Sequence, residues 1–184
     1  MQRFCDLFFS AFGLLLLWPL LLVLWGVGFF MLGSPLFRQK RVGRRQQAFV
    51  LVKFRTMEVG TASVASHLVD GAAIPRWGRF LRRTKLDELP QLWNVLRGEM
   101  SLVGPRPCLF NQEELIRERD KRGVFAARPG ITGLAQVAGI DMSTPALLAE
   151  TDAAMLVNFR LADYFRYILL TVAGRGQGDR APSR

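Results

Sequence analysis

Between Asp6 and Arg38 the chain carries no charged residue. This run of 31 residues, Leu7 to Phe37, is dominated by Leu, Phe, Trp, Val and Gly and satisfies the length criterion for a membrane segment. A straight helix of that length would measure about 46 Å, against a hydrocarbon core of roughly 30 Å, so it must tilt strongly, bend or turn back. A secretory signal has an apolar core of only about 7–15 residues followed by a small-residue cleavage site. Met31-Leu32-Gly33-Ser34-Pro35 is a poor cleavage site, so the segment is expected to be retained and to stay out of the domain core. Trp18-Pro19 interrupts it. Proline removes one backbone hydrogen bond and clashes with the preceding turn, so a break at Pro19 could let the segment enter and leave on one face. From composition alone, a spanning helix with a proline kink is the simpler reading.

Directly after the run come Arg38, Lys40, Arg41, Arg44 and Arg45. By the positive-inside rule this flank faces the cytoplasm, and it is suited to anionic lipid headgroups. The whole chain of 184 residues has a net charge of +10. Half of its residues are hydrophobic and it contains no nucleic-acid-binding motif, which argues against nucleic acid as the partner. Two cysteines, Cys5 and Cys108, are too few for a disulfide framework or a zinc site. The lone His67 lies among Ser, Val and Leu and is expected to do nothing catalytic.

The richest stretch is RWGRFLRRTKLDELPQLWNVLRGEMSLVGPRP, Arg76 to Pro107. Pro90 is tolerated only within the first turn of a helix, which places Asp87 as N-cap and Glu88 at the first helical position. The helix is expected to run to about Arg97, with Leu89, Leu92, Trp93 and Leu96 as its buried stripe and Gly98 as its left-handed stop. This register puts both carboxylates at an exposed helix start. There the backbone N–H groups keep a carboxylate ionised, and an ionised Asp is a competent nucleophile. Arg76, Arg79, Arg82, Arg83 and Lys85 lie just upstream. The plainer alternative is a capping Asp behind a solvated basic helix.

Elsewhere, Phe49 to Met57 reads as a strand that projects Lys53 and Arg55 from one face, either toward phosphate or simply into solvent. Glu58 to Ala73 has no period and is expected to be a loop, a candidate lid. Asn111 to Arg122 carries eight charges with Leu115 and Ile116 as anchors, an exposed edge helix without evident chemistry. Arg128 to Gly133 is a rigid turn leading into a short strand around Leu134 to Val137. Thr144-Pro145 opens a helix to about Asn158. Ala162 to Val172 is a basic, aromatic helix too short to span a bilayer, which either lies in the interface or packs on the core.

Taken together, the apolar segment with Pro19, PLFRQKRVG, LVKFRTM, RFLRRTKLDELPQLWNVLRGEMSLVGPRP and RPGITGLAQV resemble the small monotopic phosphoglycosyl transferases, bacterial sugar transferases. The resemblance covers almost the whole chain. It implies transfer of a sugar phosphate from a UDP-sugar to a polyprenyl (undecaprenyl) phosphate, with release of UMP, at the cytoplasmic face of the bacterial inner membrane, as the first membrane step of surface glycan synthesis. It further implies that Asp87 is the nucleophile and that Glu88 helps hold Mg²⁺. Arg82 and Arg106 fall on positions that engage the phosphates and nucleotide, and Lys53 on a similar position. The implied fold is α+β and mainly helical. It comprises a re-entrant helix–break–helix over residues 1–37, a small cytoplasmic catalytic domain over 38–174 with short strands and interfacial helices, and a flexible tail over 175–184. The resemblance therefore reverses the preference for a spanning helix.

The chain departs from the family pattern at two places. Trp18-Pro19 stands where Ser-Pro is frequent, and Ala138-Gly139-Ile140-Asp141 stands where Asn-Gly-Arg often follows the Gln-Val pair. The sugar is left between an N-acetylated aminosugar, which the resemblance favours, and a plain hexose. Membrane lipids are expected partners, and a homo-oligomer is left open. A non-catalytic, basic membrane-surface module is the alternative of a different class. It accounts for the charge and the apolar segment but not for the carboxylate pair between arginines.

Overall fold

A computed structural model of the chain describes residues 1–60 and 74–176. Helix α1 (Gln2–Leu32) takes in nearly the whole apolar run and passes through Pro19 as one helical element, ending at Gly33 in the left-handed conformation. By length and composition it is able to cross a membrane. Its aromatic face, including Phe4, Phe8, Phe12, Trp18, Phe29 and Phe30, is exposed. Leu36 and Phe37, the last residues of the run, belong instead to strand β1 (Leu36–Val42), which pairs antiparallel with β2 (Ala48–Phe54) from Leu36↔Phe54 to Val42↔Ala48. The β-branched and aromatic composition thus gives the expected strand, although it ends at Phe54 rather than Met57.

Helix α1 joins the core, contrary to expectation. Leu24 packs with Phe54 and Leu81. Near the other end, Asp6 is buried and accepts hydrogen bonds from the Ser101 hydroxyl, the Leu102 backbone N–H and the Tyr164 hydroxyl, at 2.9 to 3.1 Å. A buried carboxylate is tolerable only with such donors around it. Gln2 also donates to Ser101 Oγ and the Val103 carbonyl. The basic flank is partly internal as well. Arg41 is buried and donates to the Pro107 carbonyl, and Arg44 donates to the Ala126 carbonyl.

The basic segment forms α2 (Arg76–Thr84), which stops at Lys85 with φ 57°. A 3₁₀ turn, Leu86–Glu88, follows before α3 (Gln91–Leu96), whose N-cap is Pro90 rather than Asp87. The left-handed Lys85 turns the chain too sharply for a continuous α-helical start, and the proline begins the next helix. The buried face of α3 is Gln91, Asn94 and Val95, while Trp93 is 55 % exposed. Asn94 sets this rotation: its amide donates to the Val50 carbonyl and its Oδ1 accepts from the Val52 N–H, so it faces β2 and turns Trp93 outward. Gly98, at φ 83°, ends the helix as expected.

Strands β3 (Ser101–Val103) and β4 (Gly130–Thr132) pair in parallel, Ser101 with Gly130 and Val103 with Thr132. The Leu134–Val137 stretch, expected as a strand, is the short helix α5 (Leu134–Val137), because the Gly133 carbonyl accepts from Val137 N–H and starts a helical turn. Between these strands lies α4 (Glu113–Lys121), and after them come α6 (Pro145–Val157), opened by Thr144 and Pro145 as expected, and α7 (Leu161–Val172). Helix α7 buries Tyr164 and Tyr167, exposes Leu169 and Val172, and sets Phe165 edge-on to Phe9 of α1. The proposed lid lies largely, and His67 wholly, outside the described residues, as does the tail beyond Gly176.

Two devices fix the Gly104-Pro105-Arg106-Pro107 turn. First, Gly104 N–H donates to the Thr132 carbonyl and Gly130 N–H donates to the Pro105 carbonyl, both at 2.8 Å. The two backbones are so close that a Cβ on Gly130 would stand 2.0 Å from the Gly104 nitrogen. Second, Arg119 of α4, 2 % exposed, donates to the Arg106 carbonyl at 2.8 Å. Its remaining nitrogens bind Asp152 Oδ2 of α6 at 3.0 and 2.6 Å. Burial pushes the Asp152 carboxyl above its ordinary value, against the opposing pull of Arg119. The edge helix therefore has an internal arginine that its charge pattern concealed.

Two outcomes are expected in thermal melts of the detergent-solubilised protein. Gly130→Ala should destabilise by roughly 1–3 kcal/mol or prevent folding, whereas Gly26→Ala, with nothing within 4 Å of the added carbon, should melt like the parent. Asp152→Ala, which strands a buried guanidinium, should cost about 3–5 kcal/mol, and the double replacement Arg119→Met/Asp152→Leu should recover most of that loss.

Candidate active site

The sharp stop of α2 at Lys85 and the 3₁₀ turn after it carry Asp87 and Glu88 to the wall of a cleft. Its other walls are Arg82 and Lys85, Arg106 from the Gly-Pro-Arg-Pro turn, Ile131 and Thr132 of β4, Gln136 of α5, Thr171 of α7, and Gly176. Four residues singled out in the sequence, Arg82, Asp87, Glu88 and Arg106, therefore meet in one place although they are spread over 25 positions of chain, 82 through 106. Asp87 is 5 % exposed, not at an open helix start as its expected capping role required. Glu88 forms an ion pair with Arg106, Oε1 to Nη2, at 3.2 Å. Arg82 donates through Nε to Thr56 Oγ1 at 2.9 Å, which anchors the guanidinium at the base of α2 against the end of the hairpin.

Lys53 is elsewhere. It shares the Phe37 ring with Arg55, at 5.7 and 5.5 Å from the centroid, and does not line this cleft. The expected alternation on β2 is thus present, with the two cations stacked over an aromatic neighbour on β1.

Three cations, Arg82, Lys85 and Arg106, face two carboxylates. That excess of positive charge in a recess suits a polyanion such as a diphosphate. Burial lowers the Lys85 pKa, and Arg106 adds to this, while Glu88 and Asp87 oppose it. Lys85 Nζ also donates to the Arg175 carbonyl at 2.7 Å, which draws the end of the described chain over the cleft. Among the described residues no three His, Cys, Asp or Glu side chains converge as a metal cage. Two adjacent carboxylates nevertheless fit Mg²⁺, which is commonly held by one or two carboxylates with substrate phosphates completing its shell. Cys108 is buried and its thiol is pushed up by that burial, which removes it as a nucleophile.

Sequence reasoning named Lys85 only as part of a basic run and gave no role to Thr132, Gln136 or Thr171. Gln136 did carry a signal, being a polar amide within the apolar Leu134–Val137 segment. Thr171 carried none, since only tertiary packing brings the end of α7 to β4.

Residues 1–175 match the bacterial sugar transferase family. The chain is 41% identical to the UDP-galactose-lipid carrier transferase of Erwinia amylovora over 75% of its length and 33% of that protein's. It is 42% identical to the UDP-glucose:undecaprenyl-phosphate glucose-1-phosphate transferase of Xanthomonas campestris pv. campestris, over 77% of the chain and 31% of the relative. It thus spans about a third of the length of these two relatives. The exopolysaccharide production protein PSS of Rhizobium leguminosarum bv. phaseoli is similar end to end, at 39% identity over 97% of the chain and 98% of the relative. With the family matched across nearly the whole chain and its motif residues gathered in one cationic cleft, this protein belongs to the bacterial sugar transferase family.

Proposed function

We propose that the chain transfers a sugar 1-phosphate from a UDP-sugar to undecaprenyl phosphate, releasing UMP, as an early membrane step of surface polysaccharide synthesis. The observation that carries this is the placement of Asp87 and Glu88 in one cleft with Arg82, Lys85 and Arg106. In the first step an Asp87 carboxylate oxygen attacks the β-phosphorus of the UDP-sugar, and the bond from that phosphorus to the bridging oxygen breaks as UMP leaves. In the second, a phosphate oxygen of the polyprenyl phosphate attacks the same phosphorus and expels the Asp87 carboxylate. Covalent catalysis lets two bulky anions use one pocket in turn rather than together. Arg82 and Arg106 would hold the phosphates, and Lys85 would add charge. Glu88 would hold Mg²⁺, which when bound neutralises diphosphate charge and favours the leaving group.

For the sugar, the resemblance points to an N-acetylated aminosugar, whereas the names of the relatives, one for galactose and one for glucose, favour a hexose donor. Turnover of a panel of UDP-sugars separates the two. The absence of UMP release from every donor would instead support the non-catalytic membrane module.

The re-entrant arrangement is part of the proposal, with both ends of α1 on the cytoplasmic side of the inner membrane. What supports it is the docking of α1 on the domain at both ends, through Gln2 and Asp6 at one and Leu24 at the other. A helix perpendicular to the bilayer would leave one of these contacts on the far side. Its exposed aromatic face, continued by Phe165, Leu169 and Val172 of α7, is the surface offered to lipid.

UMP should appear in a stoichiometric burst without lipid acceptor. Asp87→Asn should abolish both burst and turnover, because an amide is a poor nucleophile of nearly the same shape. A mass increase on the peptide carrying Asp87 should accompany the burst, and direct transfer would show neither. Chelation by EDTA, or Glu88→Gln, should remove activity without unfolding the protein, and normal rates in either case would remove the metal role. Cysteines placed at residues 1–3 should resist labelling from outside intact cells, whereas efficient labelling would mean a spanning helix.

A further inference from the structure

The cleft is lined by residues of two kinds. Arg82, Lys85 and Arg106 are cationic and match phosphate, while Ile131, Thr132, Gln136 and Thr171 are neutral. Among the neutral residues Gln136 is only 9 % exposed, and neither its Oε1 nor its Nε2 has a hydrogen-bond partner within the protein. A buried amide that lacks both its donor and its acceptor contacts is costly, so such a pair calls for a ligand that supplies both. The neighbouring hydroxyls do not supply them: Thr132 Oγ1 and Thr171 Oγ1 bond each other. A Cβ at Gly133 would stand 2.9 Å from Gln136 Oε1 and 2.5 Å from the Gly104 carbonyl oxygen, so only a glycine fits between the carboxamide and the Gly104 backbone.

We propose that Gln136 is the residue that reads the uracil of the nucleotide donor, its Oε1 accepting from N3–H and its Nε2 donating to an adjacent ring carbonyl. The inference rests on the transferase activity proposed above and adds the base-recognition contact. A carboxamide presents a donor and an acceptor side by side in one plane. The imide edge of uracil presents their complement in the same arrangement, whereas the trans amide of an N-acetyl group points its N–H and C=O in opposite directions and cannot meet both at once. Ile131, also lining the cleft, offers an apolar surface suited to a flat ring. The phosphates then fall toward Arg82 and Arg106, which orients the donor in the cleft. Gln136 is here a specificity residue and takes no part in bond making.

The test compares UMP with N3-methyl-UMP by calorimetric titration of the full-length, detergent-solubilised protein, on the parent, Gln136→Ala and Gln136→Glu. The parent should bind UMP roughly tenfold more tightly than the methylated analogue, the scale of one buried hydrogen bond lost with its partner left unpaired. Gln136→Ala should bring the two ligands to within about twofold of each other, by the same measure. Gln136→Glu should weaken UMP, since its second oxygen faces a ring carbonyl. Because the readout is a ratio of two ligands on one sample, a partly misfolded variant does not mimic the result. An unchanged ratio in Gln136→Ala, or no preference in the parent, overturns the assignment while leaving the transferase proposal intact. An unchanged ratio with a raised KM that differs among UDP-sugars would assign Gln136 to the sugar instead. Failure of the parent to bind UMP at all would bring down the transferase proposal, and this assignment with it.

Discussion

The site depends on one backbone-to-backbone approach, that of Gly104 to Gly130. Here two proline-containing turns, one after β3 and one leading into β4, are held together by reciprocal hydrogen bonds with no room for a side-chain carbon between them. This contact fixes the end of the parallel strand pair. It thereby fixes the direction in which Arg106 leaves the chain, toward Glu88. A loop held only by side chains would let a guanidinium sweep several ångströms, whereas main-chain bonding on both sides leaves its base with little freedom. Arg119 completes the arrangement from beneath by bonding the Arg106 carbonyl while itself clamped by Asp152. A buried ion pair contributes little net stability, because desolvation offsets most of its attraction. Its evident effect here is geometric, in tying α4 and α6 to the turn.

With that frame in place, the electrostatics of the cleft follow from chain geometry. Lys85 in the left-handed conformation ends α2 abruptly, so Arg82 in the last turn and the carboxylates just beyond it face the same recess. Cations outnumber carboxylates by three to two, an arrangement that gives the cleft a net attraction for polyanions. Under the mechanism proposed above, burial of Asp87 would also matter chemically, because a carboxylate shielded from bulk water is less solvated and a less solvated anion attacks more readily once a neighbouring diphosphate has been neutralised.

The apolar helix is integral to this domain. Asp6 sits within a mostly apolar element, and its burial is compatible with stability because a serine hydroxyl, a main-chain N–H and a tyrosine hydroxyl converge on it. The Ser101 and Leu102 donors belong to β3, whose end leads into the Gly-Pro-Arg-Pro turn. The apolar helix and the Gly-Pro-Arg-Pro turn are consequently fastened to the same short strand.

The sequence by itself determined the parts whose causes are local. The uncharged run had to form a long helix, the β-branched Phe49–Phe54 segment a strand, Thr144-Pro145 a helix start and Gly98 a helix stop. The ordered motifs sufficed to identify the family, and four of the residues they singled out, Asp87, Glu88, Arg82 and Arg106, line one cleft. Only the tertiary structure decided which faces are buried. Leu89, Leu92, Trp93 and Leu96 form a sound amphipathic stripe, yet the helix is rotated so that Asn94 can satisfy the backbone of β2, a long-range hydrogen-bonding demand that periodicity does not record. The expected strand at Leu134–Val137 is helical because Gly133 begins a turn there and the pairing partner of β3 lies upstream, at Gly130–Thr132. Charge likewise predicted exposure for Arg41 and Arg119, which are buried because distant carbonyls need donors. Gln136 and Thr171 join the cleft for the same reason that Lys53 does not: membership is set by where α5, α7 and β2 end in space, which no local pattern along the chain encodes.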